Sequence, residues 1–378
     1  MPPETPAPLP LAGLRVLDFS NLLPGPLASL LLADAGAEVI KVERPGIGDE
    51  MRGYAPAFGG TSGNFALLNR GKRGLTADLK NEADRAHVRS LALGADILIE
   101  QFRPGVMARL GLGYAELAKE NPRLIYCSIT GYGQTGARAQ KAAHDLNYMA
   151  ETGVLGLSRG TDGAPVLPPV LAADIAGGAY PAVMNILLAL QQRHVSGRGC
   201  QLDIAMTDNL FTLAYWGQAG GHAGQWPRPG DELVTGGSPR YQIYATADGR
   251  YLAAAPIEER FWQVFCDRIG LPAAERDDGP DPHATRARVA ELVAAKSAAA
   301  WQAAFADADV CVCIVATLEE AAADPAFRER GLFRRAVAGG GETMPALPLP
   351  LDEGLRNPAP SRGFPGHGDA FRRTGWSG

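Results

Sequence analysis

The sequence lacks the marks of several large protein classes. It has no long basic run, and 41 acidic against 36 basic side chains leave a net charge of −5, which argues against nucleic acid as a main partner. It has no obvious bilayer span, because the uncharged stretch from Ile175 to Leu190 is short and rich in Gly and Ala. The opening Met1-Pro2-Pro3-Glu4-Thr5-Pro6 carries neither a basic n-region nor an apolar h-region, so no secretory leader is expected. Cysteine is scarce, five residues at 127, 200, 266, 311 and 313 with no Cys-x-x-Cys. That points to a reduced, cytoplasmic protein, with Cys311 and Cys313 expected as a buried pair on one face of a strand. There is no P-loop and no His-Glu-x-x-His.

What is present is an ordinary globular composition, 46% hydrophobic and 20% charged over 378 residues, a length suited to about two domains. The 46 Gly and 29 Pro fit a loop-rich α/β protein. Residues 1–10 read as an unordered Pro-rich tail. Strand-like runs at Leu14–Phe19, Glu38–Glu43, Ala95–Glu100 and Leu124–Ile129 alternate with helical stretches at Leu27–Ala35, Glu82–Leu93 and Val106–Asn121. Such βαβ alternation builds a parallel sheet with ligands at the carboxyl ends of its strands. A long apolar helix is expected over Asp174–His194. Beyond residue 220, two strand-like runs flank Ala247-Asp248-Gly249-Arg250, a hairpin signal. The expected organisation is a large α/β domain over 11–200, a linker at 201–222, a smaller α+β domain over 223–330, and a C-terminal segment, 331–378, returning to the large domain.

Two motif matches lack their context, and several single residues stay open between structural and chemical roles. Gly131-Tyr132-Gly133-Gln134-Thr135-Gly136 matches Gly-x-Gly-x-x-Gly, but no strand closes a βαβ unit behind it. Gly156-Leu157-Ser158-Arg159-Gly160 matches a nucleophile elbow without a strand leading into it. His144-Asp145 follows the glycine-rich turn, where an α/β sheet builds sites, although a single His is also an ordinary structural residue. Asp174 stands in an apolar run, so it is paired, hydrogen-bonded or protonated; a helix cap and an acid/base are both open readings. Glu258 opens a helix, where the dipole alone favours a carboxylate. Lys41, Arg44, Arg70, Lys72, Arg73 and Arg103 lie near early strand ends, either as solvated charge or as a converging phosphate site.

Taken together, Leu23-Pro24-Gly25-Pro26, Ala33-Asp34-Ala35-Gly36-Ala37-Glu38-Val39-Ile40-Lys41-Val42-Glu43, Asn69-Arg70-Gly71-Lys72-Arg73, Phe102-Arg103-Pro104-Gly105-Val106 and the Gly131–Gly136 turn resemble the class III CoA-transferase family. The resemblance runs from about Leu11 to about Leu351. Within it, His144-Asp145-Leu146-Asn147-Tyr148, Ala173-Asp174-Ile175-Ala176-Gly177-Gly178 and Ile257-Glu258 with Phe261 are most similar to the alpha-methylacyl-CoA racemases. The resemblance implies a Rossmann-like large domain, an interlocked homodimer and an acyl-CoA substrate, with no prosthetic group, nucleic acid or membrane partner. It implies His144, Asp174 and Glu258 as catalytic residues beside Asp145. It implies CoA contacts at Lys41, Arg103, Leu75, Gln101, Phe102, Tyr132 and Gly133, with Arg44 less firmly placed. In the transferases of the family, the residue matching Asp174 is instead the nucleophile, and His is usually absent at the position of His144.

The chemistry fits such a pairing. Inverting the α-carbon of a thioester needs a base on one face and an acid on the other. Imidazole exchanges protons near neutral pH, and a carboxyl group among apolar neighbours holds its proton. Backbone N–H groups at Asp145-Leu146-Asn147 are candidate donors to the enolate oxygen. The sequence departs from the racemase pattern at Ala143, at Arg240 and at Glu259-Arg260. Arg240, if it faced the pocket, would pair with a carboxylate on the acyl group and favour a transferase.

Overall fold

The computed structural model describes residues 8–160 and 162–377. Most of the Pro-rich tail, residues 1–7, lies outside them. The chain divides into two compact units, one of residues up to 152, 170–213 and 328 onward, the other of residues 153–169 and 214–327.

The first unit is built on a six-stranded sheet of β1 (Arg15–Asp18), β2 (Glu38–Glu43), β3 (Arg73–Thr76), β4 (Ile97–Glu100), β5 (Ile125–Thr130) and β6 (Gln201–Ala205). All neighbours are parallel, in the order β3-β2-β1-β4-β5-β6. Strand order reverses between β1 and β4, the switch point at which such sheets open a crevice. β4 and β5 are buried along their whole length, as expected when helices cover both faces. Leu17, Ile40 and Leu98 are fully buried, each worth about 1.5–3 kcal/mol.

Helix α1 (Pro24–Asp34) is buried at every position. Pro24 opens it, where the missing N–H costs nothing, and the apolar run Leu27–Ala33 leaves it no polar face, the mark of a central helix. Helix α2 (Glu82–Leu93) follows β3 and packs Val88, Leu91 and Ala92 beneath the sheet.

Three expectations change here. Residues 201–222 are not a linker: they form β6, then helices Met206–Leu213 and Tyr215–His222. The sequence Gln201-Leu202-Asp203-Ile204-Ala205 is short and half polar, so edge-strand pairing with β5, not pattern, makes it a strand. The Asp174 helix begins as a π-helical segment, Ala173–Ala179, before the regular helix Tyr180–Ser196. The combined run of 24 residues is longer than the stretch read from sequence, and by length and composition alone would cross a bilayer; here it packs against α1, β5 and β6.

The second unit holds a three-stranded antiparallel sheet, β7 (Gln242–Ala245), β8 (Tyr251–Ala254) and β9 (Val312–Ile314), with β8 central. The Asp248-Gly249 turn joins β7 to β8, with Gly249 at φ +74°. Trp262, Phe265, Val289, Val293 and Trp301 fill its core. Cys311 and Cys313 are exposed rather than buried, and all five cysteines are free. Val312 and Ile314 take the inward positions of β9, so the two thiols face out.

Candidate active site

A cavity of about 480 Å³ opens at the carboxyl ends of β1, β4 and β5, walled entirely by the first unit. Gln101, Phe102 and Arg103 follow β4, Tyr132 follows β5, and His144 and Asp174 close the far side.

His144 is the N-cap of the short helix Asp145–Glu151. Its backbone N–H donates to Asn147 Oδ1 at 3.0 Å, and its carbonyl accepts from the Asn147 N–H at 2.8 Å. This reciprocal cap pins the backbone and leaves the imidazole exposed at the cavity wall. One turn on, Tyr148 donates from its hydroxyl to the Ala143 carbonyl at 2.8 Å. A Cβ at Gly131 would meet the Tyr148 ring at 2.3 Å, which explains a glycine there.

Asp174 lies in the first turn of the π-helical segment, a form that recurs at functional sites. A Cβ at Gly177 would come within 2.7 Å of the Met206 carbonyl, so the Gly177-Gly178 pair is what lets this turn press against its neighbours. The Asp174 N–H donates to Asp145 Oδ1 at 2.9 Å, tying the two segments together. Burial pushes the Asp174 carboxyl up to about 7, and the neighbouring Asp145 adds to the rise. Burial raises Asp145 as well, against two backbone N–H donors. Among the described residues neither carboxyl has an ion-pair partner.

Elsewhere in the first unit the opposite arrangement holds. Lys41 is fully buried, 2.9 Å from Asp49 Oδ2, and donates to the Ser20 carbonyl at 2.6 Å. Lys72 reaches Asn69 Oδ1 at 2.7 Å and Asp18 Oδ2 at 3.4 Å. Arg70 holds Asp34 at 2.7 Å, and Arg356 holds it at 2.9 Å. Burial alone would raise the Asp18 carboxyl, but Lys72 and Lys41 hold it below the usual range. Lys41 is therefore corrected from a CoA-phosphate contact to a buried structural cation, and Arg70 and Lys72 form no phosphate site.

The remaining predicted contacts divide. Gln101, Phe102, Arg103 and Tyr132 line the cavity; Arg103 is exposed. Gly133 is not on its wall, and Leu75 is buried in the sheet core at 1% exposure, so both are corrected. A second cavity of about 350 Å³ lies at the ends of β2 and β3, lined by Arg44, Leu79, Lys80, Phe102 and Arg109. Arg44 is there but pairs with Glu50 at 2.6 Å. Leu79, Lys80 and Arg109 were missed. The sequence does not show β3 as a strand, so nothing in it marks Leu79 and Lys80 as lying beyond the end of β3 at Thr76; Arg109 ends the short helix Val106–Arg109 that follows β4. A strand does close the unit behind the glycine-rich turn, β6 parallel to β5, against the sequence reading; the turn itself opens no helix.

Glu258 belongs to the second unit, as the exposed N-cap residue of helix Glu259–Ile269. Arg240 is corrected: its guanidinium grips Asp278 at 2.7 Å and Glu259 at 2.7 Å, and lies 5.0 Å from the Trp262 ring centroid. It has no charge to spare for an acyl carboxylate. The departures at Arg240 and Glu259 compensate one another, while Arg260 stacks on Phe261 at 4.4 Å.

The family model described as CoA-transferase family III matches residues 11–369. The chain belongs to CoA-transferase family III. Among family members, mouse alpha-methylacyl-CoA racemase is 37% identical over 90% of this chain and 86% of its own length. Acetyl-CoA:oxalate CoA-transferase of Acetobacter aceti is 33% identical over 94% and 92%. The crystal structure of Rv3272 from Mycobacterium tuberculosis superposes with a TM-score of 0.82 at 30% identity, covering 97% of this chain and 99% of that one. Family III thus holds racemases and transferases at similar distance from this chain.

Proposed function

We propose that this family III enzyme is a cytoplasmic racemase that inverts the α-carbon of 2-methylacyl-CoA thioesters by 1,1-proton transfer. The observation that carries the reading is the shared cavity wall: an exposed imidazole at His144 and an unpaired carboxyl at Asp174 pushed up to about 7. A group that titrates near the working pH serves as acid in one direction and base in the other.

For one enantiomer, His144 takes the α-proton, and the C–H electron pair moves into the thioester to form an enolate. Asp174 then returns its carboxyl proton to the opposite face, leaving a carboxylate and an imidazolium. The other enantiomer runs the reverse route. The Asn147 N–H is committed to the His144 carbonyl, so the N–H groups of Asp145 and Leu146 are the ones suited to stabilise the enolate oxygen. Arg103, Gln101, Phe102 and Tyr132 are proposed to receive the CoA portion, with Arg44 and Arg109 further along the sheet edge. No prosthetic group is needed for these steps. Exposed Met184, Leu187, Leu188 and Val195 on one helix support a partner surface, and a homodimer would offer Glu258 to the site from a second copy.

A transferase reading rests on Asp174 as nucleophile. Transferase relatives support it, as the Acetobacter enzyme does. It asks for an ionised carboxylate, whereas burial of Asp174 favours the proton. The two readings separate in D₂O with a 2-methylacyl-CoA and no acceptor acid. The racemase reading predicts deuterium at Cα, lost in His144→Ala and Asp174→Ala. Absence of exchange, with hydroxylamine trapping an aspartyl-CoA thioester at Asp174 as the hydroxamate, establishes the transferase.

A further inference from the structure

Two loops contribute walls of the active-site cavity that carry no proton chemistry, Gln101–Pro104 after β4 and Gly131–Tyr132 after β5. Neither belongs to a helix or strand. Their rigidity must come from specific hydrogen bonds, and the structure shows a common source for them.

Glu100 is the last residue of β4, Ser128 lies beside it on β5, and Asp203 lies beside Ser128 on β6. In-register neighbours on a parallel sheet share a face, so the three form one row across the carboxyl ends of the strands. The two carboxylates at the ends of the row turn outward to different loops. Glu100 Oε2 accepts the Phe102 N–H at 2.8 Å, and Asp203 Oδ2 accepts the Gln134 N–H at 2.9 Å.

The second loop is gripped twice. Thr207 donates to the Gly131 carbonyl from its N–H at 3.0 Å and from its hydroxyl at 2.9 Å. Asp203 holds it three residues later. Gly133 stands at φ +82° between these anchors, and a Cβ there would lie 3.4 Å from Asp203 Oδ2. The space there would admit a Cβ, so it is the left-handed backbone that calls for glycine between the two anchors. Glu100 is 4% exposed, an expensive place for a carboxyl that served no purpose.

We propose that Glu100 and Asp203 are positioning residues: from one row of the sheet they hold Phe102 and Tyr132 as preset walls for the CoA thioester. Neither touches the reacting carbon. Phe102 also borders the second cavity beside Arg44 and Arg109, so Glu100 fixes the wall common to both. The claim rests on the acyl-CoA reading of the cavity, but its anchor geometry does not.

The test uses the full-length protein and a non-reactive S-alkyl-CoA thioether, titrated by calorimetry. Loss of one anchoring acceptor is expected to raise Kd about tenfold in Glu100→Leu and Asp203→Ala. Glu100→Gln and Asp203→Asn keep an acceptor oxygen and are expected to stay within about twofold of the wild type. Hydrogen exchange at the Phe102 and Gln134 amides supplies a second readout, with protection lost in the Leu and Ala variants and kept in the Gln and Asn variants. Because Asp203 is exposed, its pair decides the matter if Glu100→Leu does not fold. Unchanged protection and unchanged Kd in a folded Asp203→Ala overturn the proposal. A wild-type protein that binds no thioether contradicts the acyl-CoA reading alone, and the exchange data still decide the anchoring.

Discussion

The first unit buries charge in two ways. Asp34, the last residue of α1, meets Arg70 at 2.7 Å; Asp49 meets Lys41 at 2.9 Å; and Asp18 lies 3.4 Å from Lys72, whose ammonium burial lowers to about 7. Asp174 lines the cavity wall and Asp145 does not; Asp145 accepts the Asp174 backbone N–H, and among the described residues neither meets a cation. Burial acts on both groups in the same direction, towards the neutral acid. Pairing reverses it for Asp18 and Asp34, which stay ionised; lack of pairing leaves Asp174 near 7. The first arrangement serves the fold and the second suits proton transfer.

The comparison can be broken at either end. The largest effect is expected for Asp174→Asn in α-proton exchange, a loss of about 10³-fold or more, since an amide neither gives nor takes the proton; exchange by mass spectrometry measures it. Next is Asp34→Ala, which strands Arg70 at 1% exposure. Breaking a buried pair costs about 3–5 kcal/mol, to be read from urea unfolding with wild-type cavity residues intact.

Smaller and opposite in sign is the effect of Asp174→Asn on stability. The carboxyl is raised in the folded state, so its penalty is absent below the ordinary carboxylate range, grows as pH rises towards 7, and is complete above it. The variant should therefore melt several degrees above wild type at pH 8 and close to it at pH 4. Asp18 behaves inversely. Its folded value is depressed, so its contribution is full at neutral pH and is lost as pH falls below the ordinary carboxylate range. The smallest effect is expected for Arg240→Met, whose charge is already engaged by Asp278 and Glu259. Acyl-chain preference should shift by less than about twofold, measured as kcat/KM across a mono- and dicarboxylic acyl-CoA series.

Much of this was legible in the sequence. β1, β2 and β4 show as apolar runs because they are covered on both faces, and the Asp248-Gly249 turn shows because Gly249 needs a positive φ. His144 and Asp174 were legible as residues, and the fold brings both to one wall. The hidden features depend on partners distant in sequence. β6 is a strand by pairing with β5, and the π-helical turn at Asp174 reflects the fit of Gly177 against Met206. Lys41 reads as a surface cation until Asp49 closes on it. Leu75 and Leu79 are both apolar, and only the end of β3 at Thr76 separates core from cavity wall. The paired role of Arg240 needed Asp278, 38 residues away.

The most direct test is the titration of Asp174 itself. Aspartate labelled with ¹³C at the carboxyl, observed by NMR in wild type and in Asp174→Asn, isolates its resonance as the one that disappears. A midpoint near 7 is the predicted result, with the proton retained at the pH where an acid is needed. A midpoint below about 5 would show an ordinary ionised carboxylate and contradict the contrast between the paired and unpaired carboxyls on which the account stands.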